Sequence, residues 1–338
     1  MGQDRSRAAE AHLTAGVHRA ARHVLGQYLR ATECKRLTCF TDPGRQWLAG
    51  GFVSAARELG LEAALAELPA AAAPDEVAQR LASLGERDIV IAAFSDTTAA
   101  VGVRPDPPPA YRQLFPAFRP PEGFSGRSAF IRPRYPEEDL LRHLQTDVNL
   151  ADQAAARAMS LKSGARLRVT APGGADLTLE LRSPVALPYK VAGQSRHAYL
   201  PPSEVAWGVV AGSARGKIVV DLTAGEFVVN GVVIDLLGAV DAPVTIEVAD
   251  GRLTGIRGGD IARRLTALVD RAGGGCDQLV ELGFGLSRGI VTGAIAADEC
   301  LQGTCHFGFG NDLFYGGNND APAHWDVVVR APTVRVEP

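Results

Sequence analysis

The chain has 338 residues, 46% of them hydrophobic and 22% charged, with a formal net charge of -3. That length fits two domains, and the interspersed charges give no electrostatic reason to expect nucleic acid or an anionic membrane as partner. No run approaches the roughly 18–20 apolar residues that span a bilayer, and Met1 to Arg22 lacks the apolar segment of a secretory signal.

The first half alternates helix and strand patterns. Ala8 to Arg30 carries apolar residues at helical spacing, including Leu13, Val17, Val24, Leu25 and Leu29. Arg36–Thr41 reads as a short strand stopped by Asp42-Pro43-Gly44, and Gln46 to Leu59 as a helix with Gly60 placed for a C-cap. Pro74-Asp75-Glu76 opens a further helix that ends near Gly85, and Asp88 to Phe94 is apolar enough for a strand buried on both faces. Seven prolines make Val103 to Gly126 a long irregular connection. Ser128 to Arg132 is another strand candidate, and Pro136-Glu137-Glu138 starts a helix drawn to about Met159. This rhythm predicts a parallel sheet covered by helices.

After Lys162 the pattern changes to short strands. Arg166–Thr170 and Asp176–Leu181 form a hairpin around Gly173-Gly174. Strand-like runs follow at Lys217–Asp221, Glu226–Ile234, Val244–Val248, Leu279–Phe284, Thr304–Phe309 and His324–Val329, interrupted by a helix from Asp260 to Arg271. Asp250-Gly251 is a hairpin turn. The fold class is therefore α/β: an N-terminal parallel-sheet domain over residues 1–160, followed by a β-rich α+β domain over residues 161–338, the one that carries the candidate metal-binding residues below.

The cysteines are Cys34, Cys39, Cys276, Cys300 and Cys305, an odd number without paired spacing. They argue against a disulfide framework and for a reducing compartment, with the cytoplasm as the default. Cys300 and Cys305 stand close to the candidate ligands below, but no CxxC or CxxH unit accompanies them, which favours buried free thiols.

Four histidines, His12, His18, His23 and His143, fall in helical sequence and read as structural; His197 sits in a loop before Tyr199. His306 and His324 differ, because both lie in strand-like runs flanked by glycines and acids. In His324-Trp325-Asp326 the alternation of a strand puts the histidine and the aspartate on one face, about 7 Å apart, where both can reach one metal ion. Gly303-Thr-Cys-His306-Phe-Gly-Phe-Gly310 has alternating glycines that let a backbone or ligand approach closely. Glu281 lies inside an apolar strand, so its charge must meet a metal or a salt-bridging arginine. Glu299 and Glu204 complete the set.

Taken in order, Pro-x-x-Glu204-Val, Glu281-Leu-Gly-x-Gly, Asp298-Glu299…Gly-Thr-x-His306-x-x-x-Gly and Gly-Gly-x-Asn…His324-x-Asp326 resemble the aminopeptidase T and aminopeptidase S family of dinuclear metallopeptidases. The resemblance is clearest from Lys162 to Val329. It implies two divalent metal ions (zinc, cobalt or manganese) held by Glu204, Glu281, Glu299, His306, His324 and Asp326, with Glu281 bridging. It also implies Glu204 as the proton carrier, removal of N-terminal residues from a peptide substrate, and a homodimer. The family places a tyrosine seven residues after His306, where this chain has Leu313; Tyr315 lies two residues further on and is the candidate to take its role.

Two other readings stay open. The superfamily also resembles the ring-cleaving dihydroxypyridine dioxygenases, which hold one iron through two histidines and an aspartate, here His306, His324 and Asp326. Alternatively, Leu313 and a shortened segment between His306 and His324 mark a catalytically altered peptide-binding protein of a biosynthetic pathway.

Overall fold

A computed structural model of the chain describes residues 2–67, 81–95, 124–131, 135–145, 161–184, 197–201, 204–229 and 232–338. They form two compact units, one built on a five-stranded sheet and the other on a twelve-stranded sheet. This is the mixed α/β class read from the sequence: a parallel sheet first, then a large antiparallel one.

The first unit contains β1 (Arg36–Thr41), β2 (Glu62–Glu67), β3 (Asp88–Ala93), β4 (Arg127–Ile131) and, much later in the chain, β7 (His197–Leu200). These strands are parallel in the order β2-β1-β3-β4-β7. Every residue of β3 is buried, as its unbroken apolar run requires of a strand covered on both faces. Phe40, Val90, Phe94, Phe124 and Phe130 pack together in one core cluster. The helix Gln46–Glu58 starts where the Asp42 carboxylate accepts from the Arg45 N–H (3.0 Å), and it crosses the helix Gly2–His23 at Gly51. A Cβ there would stand 2.0 Å from Val17 Cγ1, so a larger residue would push the helices apart.

The N-terminal helix ends at His23 in a π-helical turn, Val24–Tyr28, within the stretch read as one helix. β2 carries no sequence signal because Glu62-Ala-Ala-Leu-Ala-Glu67 is rich in alanine, a poor strand former; its pairing with β1 decides its conformation. The loop assigned to His197 is instead strand β7, whose His197 Nδ1 lies 2.8 Å from Ser128 Oγ. Consequently the chain does not divide in a single cut near residue 160: β7 returns to the first unit. The helix expected from Pro136 is present over Glu137–Leu144, while its extension to Met159 falls outside the described residues. So do most of the Pro74–Gly85 helix and most of the Val103–Gly126 connection.

The second unit contains β5 (Arg166–Thr170), β6 (Asp176–Pro184), β8 (Glu204–Val209), β9 (Arg215–Val220), β10 (Thr223–Val229), β11 (Val232–Ala239), β12 (Val244–Ala249) and β13 (Arg252–Arg257). It continues with β14 (Leu279–Gly285), β15 (Thr304–Gly310), β16 (Ala323–Arg330) and β17 (Thr333–Glu337). The path is β11-β10-β16-β15-β14-β8-β6-β9-β12-β13, with β5 joining β6 to β17. The run read as a single strand, Glu226–Ile234, belongs to two strands, β10 and β11. Asp250 (φ 49°) and Gly251 (φ 72°) make the β12–β13 turn, in the left-handed region that Asp-Gly tolerates. The helix Asp260–Ala272 buries Ile261, Ala262, Leu265, Leu268 and Val269, the spacing of one apolar face.

Candidate metal centre

Four neighbouring strands, β8, β14, β15 and β16, build the site. Their register places each acid or histidine opposite a glycine. Glu281 pairs with Gly308 on one side and Gly208 on the other, and His306 pairs with Gly283. Asp326 pairs with Gly308, His324 with Gly310, and Glu204 with Gly285. A large side chain on one strand thus leans over a neighbour that has none. The fit is close: a Cβ at Gly283 would sit 1.9 Å from His306 Nε2, and one at Gly308 would sit 2.6 Å from Asp326 Oδ1 and 2.7 Å from Glu281 Oε2.

Glu281 is the centre of the arrangement. Its Oε1 lies 3.2 Å from His306 Nε2 and its Oε2 lies 3.1 Å from His324 Nε2. His306 Nε2 also faces Glu204 Oε2 at 3.7 Å, and His324 Nε2 faces Asp326 Oδ1 at 3.4 Å. The arginine partner that sequence allowed for Glu281 is replaced by these two histidines. The donor atoms of Glu281, His324 and Asp326 all lie within 4.8 Å of one another, and so do those of Glu204, Glu299 and Cys300. The six residues named from sequence therefore come together as two adjoining groups, with Glu281 and His306 between them.

The electrostatics follow from burying this many acids together. Burial opposes ionisation of Glu281, but hydrogen bonds from His306 and His324 outweigh it and hold the carboxyl well below its usual range. Burial works against the His306 cation too, yet Glu281, Glu204 and Glu299 raise it to about 10. His324 is raised well above its usual value by Asp326 and Glu281 against the same burial. Burial pushes the Asp326 carboxyl up in spite of both histidines. Asp326 Oδ1 and His306 Nδ1 are buried without a hydrogen-bond partner. A buried carboxylate oxygen that the nearest imidazole reaches only at 3.4 Å, beside three more acids and two imidazoles, makes a donor set that suits a divalent cation. The residues fit such an ion.

His324 Nδ1 lies 2.9 Å from the Asn311 carbonyl, which assigns the proton to Nδ1 and leaves Nε2 to face the acids. Tyr315 follows in the short turn Leu313–Tyr315, and its ring stacks on His324 at 6.1 Å and 29°. Burial and then the Glu281 and Asp326 charges push the phenol well above its usual value, so it stays protonated. Leu313, at the family's tyrosine position, is 49% exposed. Tyr315, two residues later, carries the ring that stacks on His324.

The profile of a family described as NicX, 2,5-dihydroxypyridine 5,6-dioxygenase, matches residues 131–337, more than half of the chain. The chain belongs to this enzyme family. The structure of 2,5-dihydroxypyridine dioxygenase from Pseudomonas putida KT2440 is similar, with a TM-score of 0.69 at 18% identity over 96% of this chain and 94% of that one. Wild-type AmpT from Thermus thermophilus is similar with a TM-score of 0.57 at 14% identity, covering 95% and 94%. At these identities both likenesses concern the fold. No curated protein matches significantly. No helix among the described residues is long and apolar enough to cross a membrane.

Sequence reasoning missed the residues that frame the candidate ligands, because their side-chain contacts leave no periodic signal and several of their partners are far along the chain. Buried Asp298 accepts from Thr223 Oγ1, Thr292 N (2.7 Å), Thr292 Oγ1 (3.0 Å) and Gly293 N (2.8 Å), fixing the turn that presents Glu299. Glu226 accepts from Ile295 N at 3.0 Å at the start of the same turn. Buried Asp312 pairs with Arg182 (3.2 Å) and accepts from Asn319 N (2.6 Å), which fixes the loop carrying Tyr315. Gly317 is required there, since a Cβ would lie 1.8 Å from Asp312 Oδ2. Of the two cysteines noted near the ligands, Cys300 is turned to the Glu204–Glu299 group while its thiol donates to the Ala296 carbonyl at 3.3 Å. Cys305 is buried one residue before His306 and so faces the other side of β15; burial pushes its thiol up. His18 pairs with Glu58 at 2.9 Å, and His143 stands edge-on to Tyr135, both remote in sequence from the candidate ligands.

Proposed function

We propose that the chain is a metal-dependent hydrolase of the aminopeptidase type, holding two divalent cations on either side of Glu281. One observation carries this reading: the Glu281 carboxylate divides its oxygens, one toward His306 and the other toward His324. A single ion bound by two histidines and one aspartate would need no such acid between the imidazoles. His306, Glu204 and Glu299 would hold one ion and His324 and Asp326 the other, with Glu281 shared. These donors are hard or borderline and suit zinc, cobalt or manganese.

Bound there, a pair of divalent cations supplies Lewis acidity and brings the pKa of water to near neutrality. The chain's own groups supply the rest. Glu204, at the start of β8, is less buried than Glu281 and would, as the family resemblance implies, accept a proton and hand it to a leaving amine. Tyr315, kept as a phenol, offers a hydrogen bond to an oxygen on which negative charge develops. His324 is oriented through Asn311 and does not need to titrate. A peptide with a free N-terminus is the substrate class that suits this division of labour, and a homodimer is the assembly the family resemblance implies.

The family match favours a second reading, in which His306, His324 and Asp326 hold one iron for ring cleavage. Metal analysis of the purified chain, with leucine p-nitroanilide and 2,5-dihydroxypyridine as substrates, separates them. The hydrolase reading requires about two zinc-like ions per chain and release of nitroaniline. One iron with oxygen uptake on the dihydroxypyridine supports the dioxygenase, and metal without either turnover supports a peptide-binding protein. Glu281→Gln is expected to remove metal and hydrolysis together; full retention of both would refute the bridging role.

A further inference from the structure

The loop between β15 and β16 is tied down by a residue that belongs to none of the four strands of the metal centre. Arg182 stands on β6, the neighbour of β8. Its Nη1 and Nη2 both donate to Asp312 Oδ2 at 3.2 Å, and Nη2 also donates to the Val209 carbonyl at 3.3 Å. The other Asp312 oxygen accepts from Asn319 N at 2.6 Å. The Asp312 backbone is used as fully. Its carbonyl accepts from Tyr315 N and Gly317 N, each at 2.9 Å, and its N–H donates to the Asn319 carbonyl at 3.0 Å. The Asn319 side-chain amide in turn donates to the Gly275 carbonyl at 2.9 Å and the Gly310 carbonyl at 2.6 Å, which gives the asparagine of the Gly316-Gly317-x-Asn319 run a structural reason.

Stability alone does not call for this pair. The Asp312 side chain is 1% exposed and that of Arg182 24%. At such burial the desolvation of two charges offsets much of their attraction, and an apolar pair of similar volume often stabilises a fold as well. What a guanidinium on a carboxylate adds is direction. The group it directs is Tyr315. A Cβ added at Gly208 would stand 3.1 Å from Tyr315 Cβ and 3.5 Å from Arg182 Cβ, so tyrosine and arginine flank one bare position of β8. Gly208 pairs with Glu281, and the Tyr315 ring stacks on His324. Contacts therefore run from Arg182 through Asp312 to a phenol beside two candidate ligands.

We propose that Arg182 is a positioning residue for Tyr315, acting through Asp312. Its effect on turnover rests on the hydrolase reading above, whereas its effect on where the phenol sits does not. Arg182→Met in the full-length, zinc-loaded chain tests it. With leucine p-nitroanilide, kcat is expected to fall roughly tenfold to a hundredfold, the cost of a group misplaced by up to an ångström, with KM and zinc content unchanged. In a Tyr315→Phe background the same substitution should change kcat less than about twofold, because the two residues act as a unit. Equal losses in both backgrounds would make Arg182 a structural support and overturn the proposal. The double variant Arg182→Met, Asp312→Leu leaves no unpaired buried charge; it is expected to show the same loss, and it replaces the single variant should that one not fold. Nitration of Tyr315 by tetranitromethane, read by mass spectrometry, reports the phenol without any turnover. Protection in the unchanged chain and its loss in the Arg182 variants is the expected result. If the unchanged chain releases no nitroaniline, the hydrolase reading falls and nitration decides alone, equal nitration of all chains overturning the proposal.

Discussion

The two faces of β14, β15 and β16 are made by the same strands and have opposite contents. On one face Phe307, Phe309 and Trp325 are buried; Phe309 and Trp325 stack at 4.4 Å and 7°, and the Trp325 indole donates to the Cys276 carbonyl at 2.9 Å. On the other, Glu281, His306, His324 and Asp326 alternate with Gly283, Gly308 and Gly310. The first face fills space to hold the sheet together, and the second withholds side chains so that charged ones can converge. Burying carboxylates this way does not stabilise a fold without a counter-charge, so the stability of these strands resides on the aromatic side and their chemistry on the other.

That division can be broken from either side. The largest effect is expected from Gly283→Ala, which places a carbon 1.9 Å from His306 Nε2 in the present geometry. Zinc affinity should drop by up to about a hundredfold, as when a ligand loses its support, while the circular dichroism spectrum is kept; unchanged zinc stoichiometry would show that His306 has another place to go. On the opposite face, Phe309→Ala should cost about 3–5 kcal/mol in urea unfolding, with the metal content of the folded protein unchanged. If stability and metal are lost together in that variant, the two faces are not separable.

The candidate site was legible in the sequence to the extent that its ligands obey the period of a strand. His324 and Asp326 share a face because they are two residues apart, and the glycines of 306–310 announced a close approach. What the period of one strand cannot give is register. Nothing in Glu281-Leu-Gly283 alone says that Gly283 lies opposite His306, nor that Glu204 starts a strand paired with β14, since both depend on hydrogen bonds between segments distant in the chain. The same holds for Asp298 and Asp312, whose partners Thr223 and Arg182 lie in distant segments. In the first half, Asp88–Ala93 was plain from its apolar run, whereas Glu62–Glu67 and His197–Leu200 become strands only by pairing.

A smaller effect is expected from Tyr315→Phe. Without the hydroxyl, kcat for leucine p-nitroanilide should fall about a hundredfold, the usual cost of losing one donor to a developing oxyanion, with metal content and KM unchanged. A fall in metal content instead would make Tyr315 a support for Glu281 only. Leu313→Ala is the matching control, because that side chain is half exposed and should leave kcat alone.

The smallest effect concerns pH. In the metal-free chain His306 is raised from 6.5 to about 10, so the folded state holds its proton more tightly than the unfolded chain. Its contribution to stability is therefore complete below pH 6.5 and is lost as pH rises toward about 10. Glu281, held below its ordinary 4.5, contributes above that value and loses its contribution on strong acidification. The chelated protein should thus melt a few degrees lower at pH 9.5 than at pH 6.5, roughly as one linked proton requires. The zinc-loaded protein should not follow this decline, since its ligands have already given up their protons. Parallel declines in both forms would remove His306 as the source.

The glycines opposite the ligands carry one more consequence. Most enzymes are silenced by taking an atom away from a catalytic group, but here a single methyl added at 283 or 308 would do it, with every acid and histidine still encoded. A descendant of this chain could therefore retain the complete ligand signature and be inert, or regain activity by reverting one codon. In judging relatives, the empty positions are as informative as the occupied ones.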